Sequence, residues 1–376
     1  MAYSKHIKDL IVLQIVPQLK QGGVERGTLD IFRYLNKNQI KNYIFCENYD
    51  AELLTTEEKK SIYTSNGLKF KKIFNFFKLN SLLSNLIKIK KINLVHISSR
   101  APAFIFYKNI KNKNLKYVTS FHNPYTGIFL KKFYNSYLLK GDVIICNSNF
   151  TKNYVIENFK INKKEIFSVP RGTDLEYFNP KNISQSDIDN KKASLDISKE
   201  DIVLSIPSRF SKWKGHKKIL SFLSSQPPSI KKILKLILII DKSKLNEDTF
   251  FRNSDPLLKK NTRIIHPTRN ISEIYAISDI IISCSLKPEG FGRTISESLA
   301  MNKIPIGSNC GGVKEQLEKF DRKLLFEKND LSSFNNSLNH AIKLYREKSF
   351  NGRDYVENNY SLYKMLKDTF DIYCSL

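Results

Sequence analysis

Short runs of aliphatic and β-branched residues alternate along the chain with longer stretches whose apolar residues recur every three or four positions. The short runs predict strands near Leu10–Val16, Tyr43–Cys46, Leu94–Ile97, Tyr117–Phe121, Val143–Cys146 and Ile166–Val169. Helical patterns lie between them, as at Val24–Leu35 and Phe76–Ile87. A polar stretch, Asn179–Asp201, lacks a strong apolar period and reads as a linker. The alternation then restarts, with strands expected at Ile202–Ile206, Leu234–Ile240, Arg263–His266, Ile280–Ser283 and Ile304–Gly307. A last helical pattern, Asp354–Tyr373, follows a Gly-Arg break. Strands that are apolar throughout and separated by helices are buried on both faces, which is the pattern of parallel α/β architecture.

Two α/β runs of similar size predict two Rossmann-like domains facing one another, over residues 1–190 and 191–350. In such sheets ligands bind beyond the carboxyl ends of the strands, so the cleft between the domains is the expected site. The 376 residues, 41% of them hydrophobic, are ample for two cores.

The net charge of +26 raises the question of an anionic partner. Lysine far outnumbers arginine, and the lysines are spread along the chain in small clusters such as Lys88–Lys91 and Lys259–Lys260. Dispersed charge of this kind reads first as a solvated surface and second as attraction to anionic lipid headgroups. A nucleic-acid-binding protein is suggested by charge alone, because no aromatic-basic recognition motif accompanies it. The five cysteines form no C-x-x-C pair, and several sit in apolar runs, as in VIICNS. They read as small buried hydrophobes in a reducing compartment. No run approaches the length of a spanning helix, and no secretory signal opens the chain. The expected location is the cytoplasm, with peripheral contact at the inner face of the plasma membrane.

Only 14 glycines occur, and four groups fall at strand-to-helix junctions: Gly22-Gly23, Gly215, Gly290 with Gly292, and Gly311-Gly312. Glycine there serves a plain turn or lets a ligand approach the backbone, with the following helix offering its N–H groups to an anion. Neither a P-loop nor a G-x-G-x-x-G fingerprint is present. In SRFSKWKGHKKI, Arg209 and Lys214 come directly off a predicted strand, and both can reach one anion above its end. In PEGFGRTISESLA, Glu289 and Glu297 flank a Gly-Phe-Gly-Arg bend. Each has two readings: Glu289 as a helix-dipole partner or a ligand for a sugar hydroxyl, Glu297 as a solvated helix residue or a second such ligand. His122, at the end of KYVTSFH, is either structural or a cleft histidine able to bind a hydroxyl or move a proton. The remaining histidines show no metal-ligand spacing, and the one Asp-x-Asp, Asp187-Ile-Asp189, lies in the polar stretch rather than at a strand end. No metal site is expected.

In order along the chain, these segments resemble the glycosyltransferase family 4 type of retaining, metal-independent sugar transferase with the GT-B fold. GGVERG (Gly22–Gly27) is similar to that family's Gly-Gly-x-Glu loop, and VPRGTDLEYFNP (Val169–Pro180) to its P-N-G-V-D-x-x-x-F-x-P segment, with Arg171 where Asn is usual. SRFSKWKGH resembles its G-R-x-x-x-x-K-G motif, with Ser208 in place of Gly. PEGFGRTISESLAMNKIPIGSNCGGVKE resembles its Glu-x7-Glu region almost throughout.

The resemblance implies a GT-B fold whose last segment, residues 351–376, is a helix crossing back to the N-terminal domain. It implies an NDP-sugar donor, UDP- or GDP-linked, no required cofactor, and a glycan or lipid-linked acceptor in bacterial surface polysaccharide or lipopolysaccharide synthesis. Arg209 and Lys214 would hold the donor diphosphate, Glu297 the ribose, and Glu289 would face the transferred sugar. Backbone groups at Phe291, Gly292, Arg293 and Thr294 would contact sugar and phosphates. Gly22 and Gly23 would lie against the diphosphate, with His122 beside the sugar. A sugar-nucleotide epimerase of the same architecture is the alternative on fold alone.

Overall fold

The computed structural model describes residues 9–20, 22–68, 75–124, 129–159, 161, 165–241, 243, 245–268 and 270–376, with the side chains of 129–132 left aside. The chain divides into two units: Met1–Arg171 together with Tyr363–Leu376, and Gly172–Leu362.

Among the described residues the first unit holds a seven-stranded parallel sheet, ordered β3-β2-β1-β4-β5-β6-β7. The strands are β1 (Ile11–Ile15), β2 (Lys41–Cys46), β3 (Ile62–Thr64), β4 (Leu94–Ile97), β5 (Lys116–Phe121), β6 (Val143–Cys146) and β7 (Ile166–Ser168). β1 has β2 on one side and β4 on the other, with Val12 opposite both Asn42 and Leu94. Strand order reverses there, and such a switch point leaves a crevice beyond the strand ends. Leu13, Ile15, Val95, Ile97, Phe106, Tyr117 and Phe121 form the centre of its core.

The second unit repeats the scheme with six parallel strands, ordered β10-β9-β8-β11-β12-β13. These are β8 (Ile202–Ile206), β9 (Leu234–Ile239), β10 (Thr262–Ile265), β11 (Ile280–Ser283), β12 (Ile304–Ser308) and β13 (Leu325–Phe326). The switch point lies between β8 and β11, where Leu204 pairs with Ile280. The core gathers Leu204, Ile206, Ile281, Leu299 and Phe326.

Three features depart from the pattern expected from sequence. The polar stretch after Asn179 contains a helix, Gln185–Ser194, started by the Ser184 side chain, which accepts from the Asp187 N–H. It lies within the second unit and carries Asp187 and Asp189. The last helical pattern is two helices, Arg353–Tyr360 and Leu362–Ser375. Ser361 separates them in extended conformation, because the Thr173 N–H donates to the Tyr360 carbonyl (2.8 Å) and the Leu362 N–H to the Thr173 carbonyl (2.9 Å). Strands β3 and β13, at the two sheet edges, had no counterpart in the apolar runs.

The helix Leu362–Ser375 returns to the first unit. Tyr373 hydroxyl lies 2.5 Å from His96 Nδ1, and Phe370 meets Tyr34 edge-on at 6.0 Å. All five cysteines are free. Cys46, Cys146 and Cys284 are buried, which pushes their thiols up to about 12.

Candidate functional site

In the second unit β8 ends at Ile206 and the chain turns through Ser208–Lys214 before the helix His216–Ser224. Gly215 makes the turn at φ +74°, and a Cβ there would lie 2.0 Å from the Cys284 carbonyl oxygen. No other residue allows the two loops to approach so closely. They are joined in turn: the Leu286 N–H donates to the Trp213 carbonyl (2.7 Å) and the Cys284 thiol to the Lys214 carbonyl (2.8 Å).

This junction fixes Lys214. Its Nζ donates to Glu289 Oε1 at 2.7 Å and lies 4.5 Å from the centre of the Trp213 ring. Ser285 Oγ also donates to that carboxylate oxygen. Both members of the ion pair are only about one-sixth exposed. The loop holding Glu289 is fastened through its backbone, since its carbonyl accepts from the Gly312 N–H (2.9 Å) at the start of the helix Gly311–Phe320. Gln316 Nε2 donates to the carbonyls of Phe291 (2.5 Å) and Gly292 (3.2 Å).

Gly292, at φ +85°, caps the helix Arg293–Ala300. Glu297 on this helix is 9% exposed, so its reading as a solvated helix residue does not hold. Tyr275 hydroxyl donates to Oε2 (2.8 Å), and Arg293 pairs with Oε1 (2.7 Å). Burial first, and the Glu297 carboxylate second, hold the Tyr275 hydroxyl well above its ordinary range, so it stays a donor. Phe291 is buried against Tyr360, and Thr294 sits in the first turn of the helix. Arg209 is exposed and makes no hydrogen bond or ion pair with the described residues. His216 is buried beside Ser208, Oγ to Nε2 3.4 Å, and burial pulls its imidazole down to about 4.

In the first unit Gly22 caps the helix Gly23–Lys37. Arg171 reaches the start of this helix: one guanidinium nitrogen donates to the Gly23 carbonyl (2.7 Å), and another lies where a Cβ on Gly27 would be, 2.1 Å from that point. His122, just beyond β5, is 8% exposed, and among the described residues neither ring nitrogen has a hydrogen-bond partner. Burial, then the charges of Arg171 and His96, hold its imidazole well below the usual value, so it is neutral at physiological pH. His96 is fully buried between Tyr373 and Ser120 (2.5 and 2.7 Å) and is pulled down to about 3, first by burial and then by Arg171.

Lys214 and Glu289 are thus brought into direct contact, and Glu297 is held separately on the neighbouring helix. Sequence reasoning missed Tyr275, a tyrosine in an otherwise ordinary apolar helical run, and Ser285. Arg171 was visible only as a departure from a motif; its place over Gly27 was not. Among the described residues no three His, Cys, Asp or Glu side chains cluster as a metal site would require.

Two parallel Rossmann-like sheets and a final helix returning to the first unit define the GT-B class of fold. Relatives narrow this further. The model of Glycosyltransferase Family 4 matches residues 21–177, and that of Glycosyl transferases group 1 matches residues 187–359. A glycosyltransferase of known structure from Rickettsia africae ESF-5 is 31% identical, with a TM-score of 0.81 and 97% of each chain covered. Anabaena Alr3699/HepE, solved in complex with UDP, has the same fold at 16% identity, with a TM-score of 0.81 over 98% of this chain and all of that one. An uncharacterized glycosyltransferase of Methanocaldococcus jannaschii, MJ1069, is 21% identical over 97% of this chain and 91% of its own length. The chain belongs to the family 4 and group 1 glycosyltransferases and is a transferase enzyme.

Proposed function

We propose that the protein is a retaining, metal-independent glycosyltransferase. It moves a sugar from an NDP-sugar, UDP- or GDP-linked, to a hydroxyl of a glycan or lipid-linked acceptor in bacterial surface polysaccharide or lipopolysaccharide synthesis. The observation that carries this reading is the set of groups at the ends of β8 and β11: exposed Arg209, the Lys214–Glu289 pair at 2.7 Å, and Glu297 held by Tyr275 and Arg293. The UDP and UDP-glucose complexes of the Anabaena neighbour support a nucleotide-sugar donor.

In this reading the bond between the sugar's anomeric carbon and the diphosphate oxygen breaks as negative charge builds on the leaving group. Arg209 contributes a planar fork and Lys214 a point charge to that oxygen's phosphate. The first turn of the helix Arg293–Ala300 adds the positive end of its dipole. These fixed cations take the place a divalent ion has in metal-dependent transferases. Glu297 accepts from the ribose hydroxyls, and Glu289, oriented by Lys214 and Ser285, faces the sugar. In the first unit, Gly22 and Gly23 lie against the diphosphate, and neutral His122 offers a ring nitrogen to a sugar hydroxyl. The acceptor oxygen bonds to the anomeric carbon on the face the diphosphate leaves, and its proton passes to the departing phosphate oxygen.

Thermal-shift titration with UDP, GDP and inorganic pyrophosphate separates these roles. A ligand at a hundred times its Kd stabilises by about 2.7 kcal/mol, which is readily measured. Arg209→Ala is expected to weaken all three ligands and, with a cognate donor, to slow transfer by roughly 10²–10³. Its melting point without ligand should match wild type, because the side chain is exposed and unpaired among the described residues. Glu297→Ala is expected to weaken the nucleotides while sparing pyrophosphate. Unchanged diphosphate binding in Arg209→Ala overturns the assignment.

A further inference from the structure

No Asp or Glu occurs between Glu58 and Asp142, a span that includes Lys59, Lys60, Lys78, Lys88, Lys90 and Lys91 among its many basic residues. Carboxylates just outside the span pair with Lys60 (Glu57) and Lys111 (Asp142), but the stretch itself supplies none. The helix Phe76–Lys90 lies in this span. Its inner side buries Leu79, Leu83, Leu86 and Ile87. It is also tied to the helix Arg100–Asn112, with Asn80 Nδ2 donating to the Ile105 carbonyl (3.2 Å) and Asn109 Nδ2 to the Asn80 carbonyl (2.8 Å).

The outer side is unlike an ordinary solvated helix face. Phe77 is 86% exposed, Ile89 72% and Leu82 39%, and exposed Lys78 and Lys88 stand among them. At about 100° per residue these five side chains fall within one arc of roughly 140°. Phe133, 58% exposed, comes from a further helix, Phe129–Ser136, that also packs on Arg100–Asn112. Single exposed apolar residues are common and need no cause. Three on one arc, sharing it with exposed Ser81, Asn85, Lys78 and Lys88 and with no carboxylate, make an apolar-basic face of the kind that lies in a membrane interface.

We propose that this arc is the surface by which the first unit docks on an anionic lipid bilayer. Phe77 and Ile89 enter the boundary between headgroups and acyl chains, and Lys78 and Lys88 lie against the headgroup phosphates. Charge selects this occupant. A second copy of the same face would set lysine against lysine with no carboxylate on the arc to relieve it. A nucleic acid would answer the lysines and leave the phenylalanine and isoleucine in water. The surface gives a location to the lipid-linked acceptor of the function proposed above, but vesicle binding needs no donor sugar, so it can fail without touching the donor site.

The full chain is sedimented with vesicles of phosphatidylcholine alone and of phosphatidylcholine with phosphatidylglycerol. Binding is expected only with phosphatidylglycerol and should weaken as salt rises. Phe77→Ser/Ile89→Ser should reduce the bound partition about ten-fold, with an unchanged melting point because both side chains are exposed. Lys78→Glu/Lys88→Glu should reduce it by at least five-fold per lysine, by order of magnitude. Lys259→Glu/Lys260→Glu, exposed on the second unit, should leave it unchanged. An equal loss in that control, or retention of binding in Phe77→Ser/Ile89→Ser, overturns the proposal. So does a dimer in solution, or an RNA complex, that depends on Phe77 and Ile89 while vesicles are ignored.

Discussion

At the ends of β8 and β11 each carboxylate of the site has partners within 2.8 Å, Glu289 in Lys214 and Glu297 in Tyr275 and Arg293. At the end of β5, His122 has no partner on either ring nitrogen among the described residues. The second unit therefore holds these polar groups by pairing, which keeps them oriented. The first holds His122 by burial beside Arg171, which keeps it neutral. A paired group suffers most when its partner is deleted. A buried, unpaired imidazole does the opposite, tolerating its neighbours but not protons.

Acid should expose this difference most strongly. The folded-state pKa values of His96 and His122 in the first unit, and of His216 in the second, lie below the unfolded value near 6.5. The unfolded chain takes up protons that the folded chain refuses, so stability is full above that value and falls as the pH drops through it. The fall ends near 4 for His216 and near 3 for His96. At pH 5 the cost is about 2 kcal/mol for each histidine. Hydrogen exchange at pH 7 and pH 5, corrected for intrinsic rates, should show the larger loss of protection in β4 and β5. A larger loss in β8 would break the comparison.

Gly215→Ala tests the junction on the second unit's side. The added methyl meets the Cys284 carbonyl at φ +74°, and a cost of about 3 kcal/mol is expected in urea unfolding. A neutral outcome would mean that the two loops are not held as close as the structure has them. The smallest effect expected is that of Tyr275→Phe, which removes one donor from a buried carboxylate oxygen at a cost of about 1–2 kcal/mol. If Glu297 binds ribose as proposed, UDP or GDP affinity should fall several-fold in the same variant while pyrophosphate affinity holds.

How much of this could be read from sequence follows from burial. The inner strands were legible because both of their faces are covered and the apolar run is unbroken. β3 and β13 are short edge strands, and with Ile62–Thr64 only partly buried there was no such run to see. The helix Gln185–Ser194 escaped because Ile188 and Ala193 are its only apolar residues, too few to show a period. In the site, Arg209, Lys214, Glu289 and Glu297 stood out by motif, and the glycines by their scarcity. The Lys214–Glu289 contact did not, because it depends on β8 and β11 being neighbours although the two residues are 75 positions apart. Tyr275 and the seat of Arg171 on Gly27 are products of packing with no local signature.

The loop bearing Glu289 has one more consequence. Its course is set by the Gly312 N–H on the Glu289 carbonyl and by Gln316 on the carbonyls of Phe291 and Gly292, contacts that involve no atom of the Glu289 side chain. The shape of the loop is therefore stored apart from the chemistry it presents. If Glu289 faces the sugar as proposed, that side chain can be exchanged, by evolution or by design, without asking the loop to find a new path, so a change of sugar need not be a change of fold.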